Sequence, residues 1–305
     1  MIEQRRCGFV AIVGAPNAGK STLVNRLVGT KVSIVSPKVQ TTRTRVLGIA
    51  LVGEEGAPMR AQVIFIDTPG IFKPKLRLER AMVRAAWSGA SDADVVALVV
   101  DAKKGVDEDV AAIVASLKEA GRRAILVLNK IDLVKRDQLL GLTAKLNESG
   151  IVDDVFMISA EKGDGTEDLL RHCAKMLPEG PWHFPEDEVS DMPQLMLAAE
   201  ITREQLFNRL HQELPYAALV DTEKWEERDD GSVRIDQTIY VRRDSQKAIV
   251  LGKGGAQIKA IGAAARQELE RLLERPVHLF LFVKVREDWP DDRQRYNDLG
   301  LEYDA

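Results

Sequence analysis

Residues 14–21 read Gly14, Ala15, Pro16, Asn17, Ala18, Gly19, Lys20, Ser21, the pattern G-x-x-x-x-G-K-S. They follow the apolar run 9–13 and lead into a helix-like stretch at 22–27, the strand–loop–helix setting in which such a loop wraps phosphates. Backbone N–H groups of the turn and of the new helix point at phosphate oxygens. The Lys20 ammonium bridges the outer phosphates and the Ser21 hydroxyl takes Mg2+. Thr22 continues the same first turn and joins the candidate set.

With 305 residues, the chain is long enough for about two domains. Its 45% hydrophobic and 30% charged residues fit a soluble protein with sizeable cores and argue against disorder. Cys7 and Cys173 have neither zinc-ligand spacing nor a disulfide-framework count, so we expect a reducing cytoplasm. No cleavable signal pattern is evident, and no apolar run approaches the roughly 20 residues that span a bilayer. Any membrane contact is therefore expected to be peripheral. The net charge of -4 is unevenly divided: residues 1–180 carry 26 Lys+Arg against 22 Asp+Glu, the remainder 17 against 25. The acidic second half argues at first against nucleic-acid binding there.

Outward from the phosphate loop, residues 7–177 alternate strand-like and helical patterns. Residues 8–13, 45–52, 62–66, 95–100, 124–128 and 155–158 are short apolar or alternating runs, with amphipathic stretches such as 110–119 and 165–177 between them. This predicts an α/β domain, a mostly parallel six-stranded sheet with flanking helices. The runs 45–52 and 62–66 are separated by Gly53, Glu54, Glu55, Gly56, Ala57, Pro58, which predicts a hairpin and one antiparallel strand.

Ligands of such sheets bind in the loops after the strands' carboxyl ends. After the third run come Asp67, Thr68, Pro69, Gly70: the aspartate can hold Mg2+ through water and the Gly70 N–H can sense a γ-phosphate. Alone, these four residues could equally be a turn. After the fifth run come Asn129, Lys130, Ile131, Asp132. The Asp132 carboxylate can accept from guanine N1–H and N2–H, a donor pair adenine lacks. Asn129 can bond the Hoogsteen edge, and the Lys130 stem can cover the base. Alone, that segment could be a helix cap with a solvated lysine. Ser159 and Ala160, after the sixth run, can offer a backbone N–H to guanine O6. Ser36, Pro37, Lys38, Val39, Gln40, Thr41, Thr42, Arg43 form a polar, proline-broken segment placed to cover a γ-phosphate. Thr42 is the expected Mg2+ ligand there, with Thr41 as fallback, released after hydrolysis. A surface loop with incidental threonines is the plainer reading.

Residues 178–193 contain four prolines and several acids, and we read them as a linker on which Trp182 and Phe184 pack against a domain surface. From residue 194 the pattern is helix (194–212), strand (216–225), an Asp229-Asp230-Gly231 turn, strand (232–241), short helix (246–251), the loop Gly252, Lys253, Gly254, Gly255, a long helix to about residue 273, and strand 277–285. This α-β-β-α-α-β order is that of a type II KH domain, an α+β fold. The glycine loop lets a nucleic-acid backbone approach its amides and Lys253, with bases lying across the adjacent groove. Arg242, Arg243, Lys247, Lys253, Lys259 and Arg266 face only Asp244 over residues 242–266. The local patch is thus basic, and it, not the half-chain total, governs phosphate contact. Candidate RNA contacts are Arg242, Lys247, Ile249, Gly252, Lys253, Gly254, Gly255 and Lys259. The four histidines form no triad or metal pattern.

The motifs Gly-x-Pro-Asn-x-Gly-Lys-Ser, Gln-Thr-Thr-Arg, Asp-Thr-Pro-Gly, Asn-Lys-Ile-Asp and Ser-Ala, in this order, resemble the Era family of bacterial GTPases. So do the block 244–255 and residues Pro276, Val277, His278, Leu279. The resemblance implies a P-loop GTPase domain (1–177), a linker (178–193), a type II KH domain (194–287) and an acidic tail (288–305). It further implies GTP and GDP as ligands with Mg2+, binding to the 3′ end of 16S ribosomal RNA, assistance to small (30S) ribosomal subunit biogenesis, and a cytoplasmic protein with a peripheral inner-membrane fraction. We expect a monomer. Ile71 stands where Ras-like enzymes place a water-orienting glutamine and offers water no polar atom, which excludes glutamine-based catalysis. Related GTPases with that departure include some that bind K+ through the asparagine corresponding to Asn17. Asn17 therefore has two readings, K+ ligand or turn residue. The expected catalytic set is Lys20, Thr42, Gly70 and Asn17. One alternative is an ATP-using enzyme, against which Asp132 speaks. Another is a GTPase docking to protein or membrane through a KH-like adaptor.

Overall fold

Along β1 (Gln4–Val13), Val10 and Ile12 enter one core while Ala11 and Val13 enter another, all fully buried. That alternation makes β1 a central strand covered on both faces. The computed structural model describes residues 4–38, 41–74, 76–210, 214, 217–287, 289, 292, 293, 296 and 300–304. Contacts divide the chain into two units. The first comprises Met1–Ser33, Thr42–Asp191 and Leu299–Ala305; the second comprises Ile34–Thr41 and Met192–Asp298.

In the first unit, β1 is joined by β2 (Val46–Val52), β3 (Met59–Asp67), β4 (Val95–Asp101), β5 (Ala124–Asn129) and β6 (Val152–Met157), in sheet order β2-β3-β1-β4-β5-β6. Only β2 runs antiparallel, paired with β3 across the expected hairpin. Helices α1 (Lys20–Val28) and α5 (Thr166–Met176) supply residues to one core; α2 (Arg77–Asp92), α3 (Glu108–Glu119) and α4 (Arg136–Asn147) supply the other. The mostly parallel six-stranded sheet is as the periodicity predicts. Several limits differ. β1 begins at Gln4, because Arg5 and Arg6 continue the parallel ladder with β3 and the Arg6 guanidinium donates to Lys175 O and Leu177 O. β6 ends one residue early, the Ile158 N–H still donating to Leu128 O at 2.8 Å. Both cysteines are buried, and burial pushes the Cys173 thiol up to about 12.

The proline-rich stretch 178–191 is a strap on this unit. Cys7 N–H donates to Pro178 O (3.1 Å), Gly180 N–H to Arg5 O (3.1 Å) and Ile49 N–H to Val189 O (2.9 Å). Trp182 and Phe184 pack against the core, and Arg5 and Arg60 lie over the Trp182 ring at 5.3 and 4.7 Å. Gln62 anchors the centre: its Oε1 accepts from His183 N–H (2.9 Å) and Phe184 N–H (3.1 Å), and its Nε2 donates to Phe184 O (2.8 Å). At the other end of this unit, the Arg77 guanidinium lies 4.7 Å over the Tyr303 ring, and Arg84 pairs with Glu302 at 2.9 Å.

The second unit contains α6 (Gln194–Arg209), β7 (Leu219–Glu227), β8 (Val233–Val241), α7 (Asp244–Leu251), α8 (Ala256–Leu273) and β9 (Val277–Val285). This is the expected element order. The sheet runs β7-β8-β9 with β8 and β9 parallel, so the α7–α8 pair is the crossover that a parallel pair requires. Leu206, Ile239, Val250 and Ile261 form one part of its core; Ile201, Ile235, Ala265 and Leu269 form another. The first helix ends at Arg209, and β7 starts at Leu219; the expected limits at 212 and 216 lie outside the described residues. Replacing Gln62 by Ala unties three backbone groups of the strap, and we expect a loss of about 2–4 kcal/mol. Thermal unfolding of Gln62→Ala should show a midpoint several degrees lower, and limited proteolysis should cut first within residues 182–190.

Candidate functional site

The phosphate loop joins β1 to α1 and includes two left-handed backbone conformations between Gly14 and Lys20. Asn17 has φ 63° and Gly19 φ 95°. A Cβ at Gly19 would lie 2.3 Å from Asn129 Nδ2, so only glycine lets the base-side loop approach. Lys20 is buried, and its Nζ donates to Gly14 O and Ala15 O at 3.0 Å each. The ammonium thus closes the loop on itself, at the spot where outer phosphates would compete for it.

Three further candidates converge beside Lys20. Ser21 Oγ and Thr42 Oγ1 are 2.8 Å apart. Asp67, at the end of β3, is fully buried; its Oδ2 accepts from Ser33 Oγ at 2.6 Å, and the Ser21 and Thr42 hydroxyls lie against the same carboxylate. Burial pushes this carboxyl up, opposed by the Ser33 and Ser21 hydroxyls, the Lys20 charge and the Thr42 hydroxyl. A buried carboxylate against two hydroxyls is a donor set that suits a hard dication through oxygen ligands. The chemistry of Ser21, Thr42 and Asp67, which the structure brings together, fits Mg2+. The fallback Thr41 has its hydroxyl bonded to Ser36 Oγ (2.7 Å) and Lys38 O (2.8 Å). Val39 and Gln40 lie outside the described residues.

Of the Asp67–Gly70 segment, Thr68 Oγ1 donates to Ile12 O at 2.8 Å, bracing the loop on β1. A Cβ at Gly70 would meet Pro16 at 3.0 Å, which sets this loop against the phosphate loop. Ile71 is 6% exposed, belongs to the core, and donates its N–H to Gly14 O at 3.2 Å. It presents nothing polar to a water.

On the base side, Asn129 acts as a strut. Its Nδ2 donates to Ala18 O (2.9 Å), while its Oδ1 accepts from Lys130 N–H (2.8 Å) and Ala160 N–H (3.0 Å). One Nδ2 proton is left for a base. We expected Ser159 and Ala160 to offer a backbone N–H to guanine O6; here Ser159 N–H goes to Asp164 O (3.0 Å), and a base would have to share the Ala160 N–H with Asn129. Lys130, with φ 65°, reaches Asn17 O (2.7 Å) and Asp101 Oδ2 (2.6 Å). The Ser159 hydroxyl, ahead of the Lys162 ammonium 3.7 Å away, holds the Asp132 carboxyl below its ordinary range. Asp132 thus stays an ionised double acceptor at neutral pH.

Sequence reasoning missed Asn25, Arg26, Ser33 and Asp101. Arg26 Nε donates to Ala160 O at 3.2 Å and its Nη2 to Glu161 O at 2.6 Å. Asp101 closes β4 at the sheet's carboxyl edge, a position that could have flagged it. Nothing local distinguishes Ser33.

In the second unit, the glycine loop links α7 to α8. Gly252 has φ 70°, and a Cβ there would lie 2.6 Å from Gln257 Cβ. Gly254 and Gly255 also have positive φ, with open space where a Cβ would stand. Arg242, Lys253, Gly254, Lys259 and Ile249 are exposed, Ile249 at 56%. Lys247 and Gly255 are half-buried. Arg266 pairs with Glu270 at 2.7 Å, which removes it from the basic patch. The segment Ile34–Thr41 also belongs to this unit: Arg203 Nη2 donates to Thr41 O (2.6 Å), Val35 N–H to Glu204 Oε1 (2.8 Å), and Lys38 Nζ to Leu210 O. Among the described residues there is no cluster of three potential metal-binding His, Cys, Asp or Glu side chains.

A family model described as 50S ribosome-binding GTPase matches residues 9–130, and one described as KH domain matches residues 213–290. GTPase Era of Rhizobium meliloti (strain 1021) is 60% identical over 298 residues, covering 98% of this chain and 93% of the relative. GTPase Era of Agrobacterium fabrum is 61% identical, with 98% and 92% covered. Two solved structures align over 97% of this chain and 99% of theirs at 40% identity. One is an Aquifex aeolicus Era variant bound to GDP.AlF4- (TM-score 0.89); the other is Era in complex with MgGDPNP and nucleotides 1506–1542 of 16S ribosomal RNA (TM-score 0.90).

Burial pushes the Lys20 ammonium down from 10.5 to about 8, against the raising effect of Asp67. The unfolded chain keeps this proton to higher pH than the folded one, so the ligand-free protein gains stability as pH rises from 8 towards 10.5. Phosphate oxygens would restore the charge. Calorimetric titration with GDP in buffers of different ionisation enthalpy should therefore show proton uptake that grows from near zero at about pH 7 to roughly one proton at about pH 9, and Lys20→Met should abolish it.

Proposed function

This chain belongs to the Era family of GTPases and hydrolyses GTP, and on that premise we propose that it is a nucleotide switch controlling RNA binding by its KH domain. In this reading Gly14 to Thr22 cradle the phosphates, with Lys20 charged against the outer ones. Asp132, its carboxylate bonded by the Ser159 hydroxyl, selects guanine over adenine. Ser21, Thr42 and Asp67 would hold Mg2+, which supplies charge to the β- and γ-phosphates when bound. Gly70 senses the γ-phosphate, and Thr42 moves with it.

The observation that carries the coupling is that Ile34–Thr41 is grouped with the KH-bearing unit and held there by Arg203 and Glu204, while the next residue, Thr42, bonds Ser21. A change at Thr42 on hydrolysis therefore pulls on a segment with partners in the second unit. The proposed ligand is the 3′ end of 16S ribosomal RNA, and the proposed role is assistance to small-subunit biogenesis. The likeness to an Era bound to nucleotides 1506–1542 of that RNA supports the ligand. The exposed Lys253 and the open backbone at Gly254 and Gly255 suit close approach of a phosphate backbone. The domain limits 1–177, 178–193, 194–287 and 288–305, a monomeric state, and a cytoplasmic location with a peripheral membrane fraction belong to the same proposal. No described helix is long and apolar enough to cross a membrane.

Asn17 and Ile71 support one addition. With Ile71 buried in the core, no glutamine orients the attacking water, and we assign Asn17 a K+ ion beside the phosphates, which would supply the transition-state charge that an arginine finger supplies elsewhere.

Two measurements test these readings. A short RNA carrying the 3′ end of 16S ribosomal RNA should bind with an affinity that falls with salt, differs between GTP- and GDP-bound protein, and drops at least tenfold in Gly254→Asp. Affinity indifferent to nucleotide and to the substitution would leave the adaptor reading instead. GTP hydrolysis by the wild type should be several-fold faster in K+ than in Na+, and Asn17→Ala should erase the difference; equal rates in all four conditions remove K+ from the account.

A further inference from the structure

The segment between α1 and β2 is pinned at both ends by one face of α1. Ser21 and Asn25 are four residues apart on that helix and so lie one above the other. Ser21 Oγ meets Thr42 Oγ1 at 2.8 Å, at the far end of the segment. Asn25 grips the near end with its whole amide: Oδ1 accepts from Val32 N–H and Ser33 N–H, each at 2.9 Å, and Nδ2 donates to Ser33 O at 2.7 Å. Both backbone polar groups of Ser33 are thereby tied to a single side chain. Its hydroxyl is left aimed at the buried Asp67 carboxylate, donating to Oδ2 at 2.6 Å, and Ser33 is 3% exposed.

We propose that Ser33, held by Asn25, is a positioning residue for Asp67. It occupies one carboxylate oxygen so that the other, Oδ1, faces the Ser21 and Thr42 hydroxyls in a single orientation. A carboxylate can turn about its last bond; the bond from Ser33 fixes its plane, and since its two oxygens are equivalent, whichever one Ser33 does not hold is turned to the Ser21 and Thr42 hydroxyls. Groups that orient metal-facing carboxylates in this way tune the metal without touching it. This role of Ser33 rests on the reading of Ser21, Thr42 and Asp67 as metal-facing groups.

The test is a Mg2+ titration of fluorescent-GDP dissociation from the full chain, for wild type, Ser33→Ala and Asp67→Asn, with GDP affinity in EDTA measured alongside. Ser33→Ala should raise the half-saturating Mg2+ concentration by roughly 10–100-fold while changing GDP affinity in EDTA less than threefold. A shift below threefold in Ser33→Ala, with Asp67→Asn strongly shifted, overturns the role of Ser33 and leaves the metal reading standing. Parallel loss of affinity in EDTA overturns it too, since the residue would then hold up the fold generally. If Asp67→Asn leaves the Mg2+ dependence unchanged, the metal reading fails and this inference with it. Should Ser33→Ala not fold, Asn25→Asp is read by the same limits; it keeps the acceptor and the volume and loses the donor to Ser33 O.

Discussion

One buried amide holds the nucleotide-binding face together. Asn129 bonds Ala18 O, Lys130 N–H and Ala160 N–H, joining the phosphate loop to the loops after β5 and β6. Each partner is a backbone group with little access to water, and stranding one costs about 1–3 kcal/mol. The amide also dictates composition around it, since its nitrogen occupies the space where a Cβ at position 19 would be. The candidate guanine-side and phosphate-side loops thus meet in one packed joint.

Lys130 extends that joint. Its left-handed backbone turns the side chain across Asn17 O to Asp101, so the base-side wall is braced before any ligand arrives. Preorganisation of this kind spares a ligand the cost of ordering the site. Asp132 is held in the same sense: the Ser159 hydroxyl bonds its carboxylate and keeps it below its ordinary range before any base arrives.

The second unit shows why charge has to be read locally. Arg266 pairs with Glu270, Arg234 with Asp236, and Lys284 with Glu223, so much of the charge there is neutralised in place. What remains exposed near the glycine loop, Arg242, Lys253 and Lys259 among it, is positive. Screening confines the reach of a charge to about 10 Å at ordinary ionic strength, which is why distant acids do not cancel this patch.

Read alone, the sequence was enough to determine the two fold classes, the element order, and the placement of Lys20 and Ser21 at the start of α1, of Asp67 and Asn129 at strand ends and of Asp132 just beyond β5. Those features follow from local chemistry: periodicity, glycine at required turns, and residue types matched to phosphate, Mg2+ and guanine. Tertiary structure alone decided that 178–191 is a strap tied down by Gln62, that Asn129 spends its amide on protein partners, and that Ser33 holds Asp67. It also decided that Ile34–Thr41 groups with the second unit. The physical reason is sequence distance. Asn129 and Ala18 are 111 positions apart and Ser33 and Asp67 are 34 apart, and a hydroxyl or an amide shows no preference for a partner until folding brings one within about 3 Å.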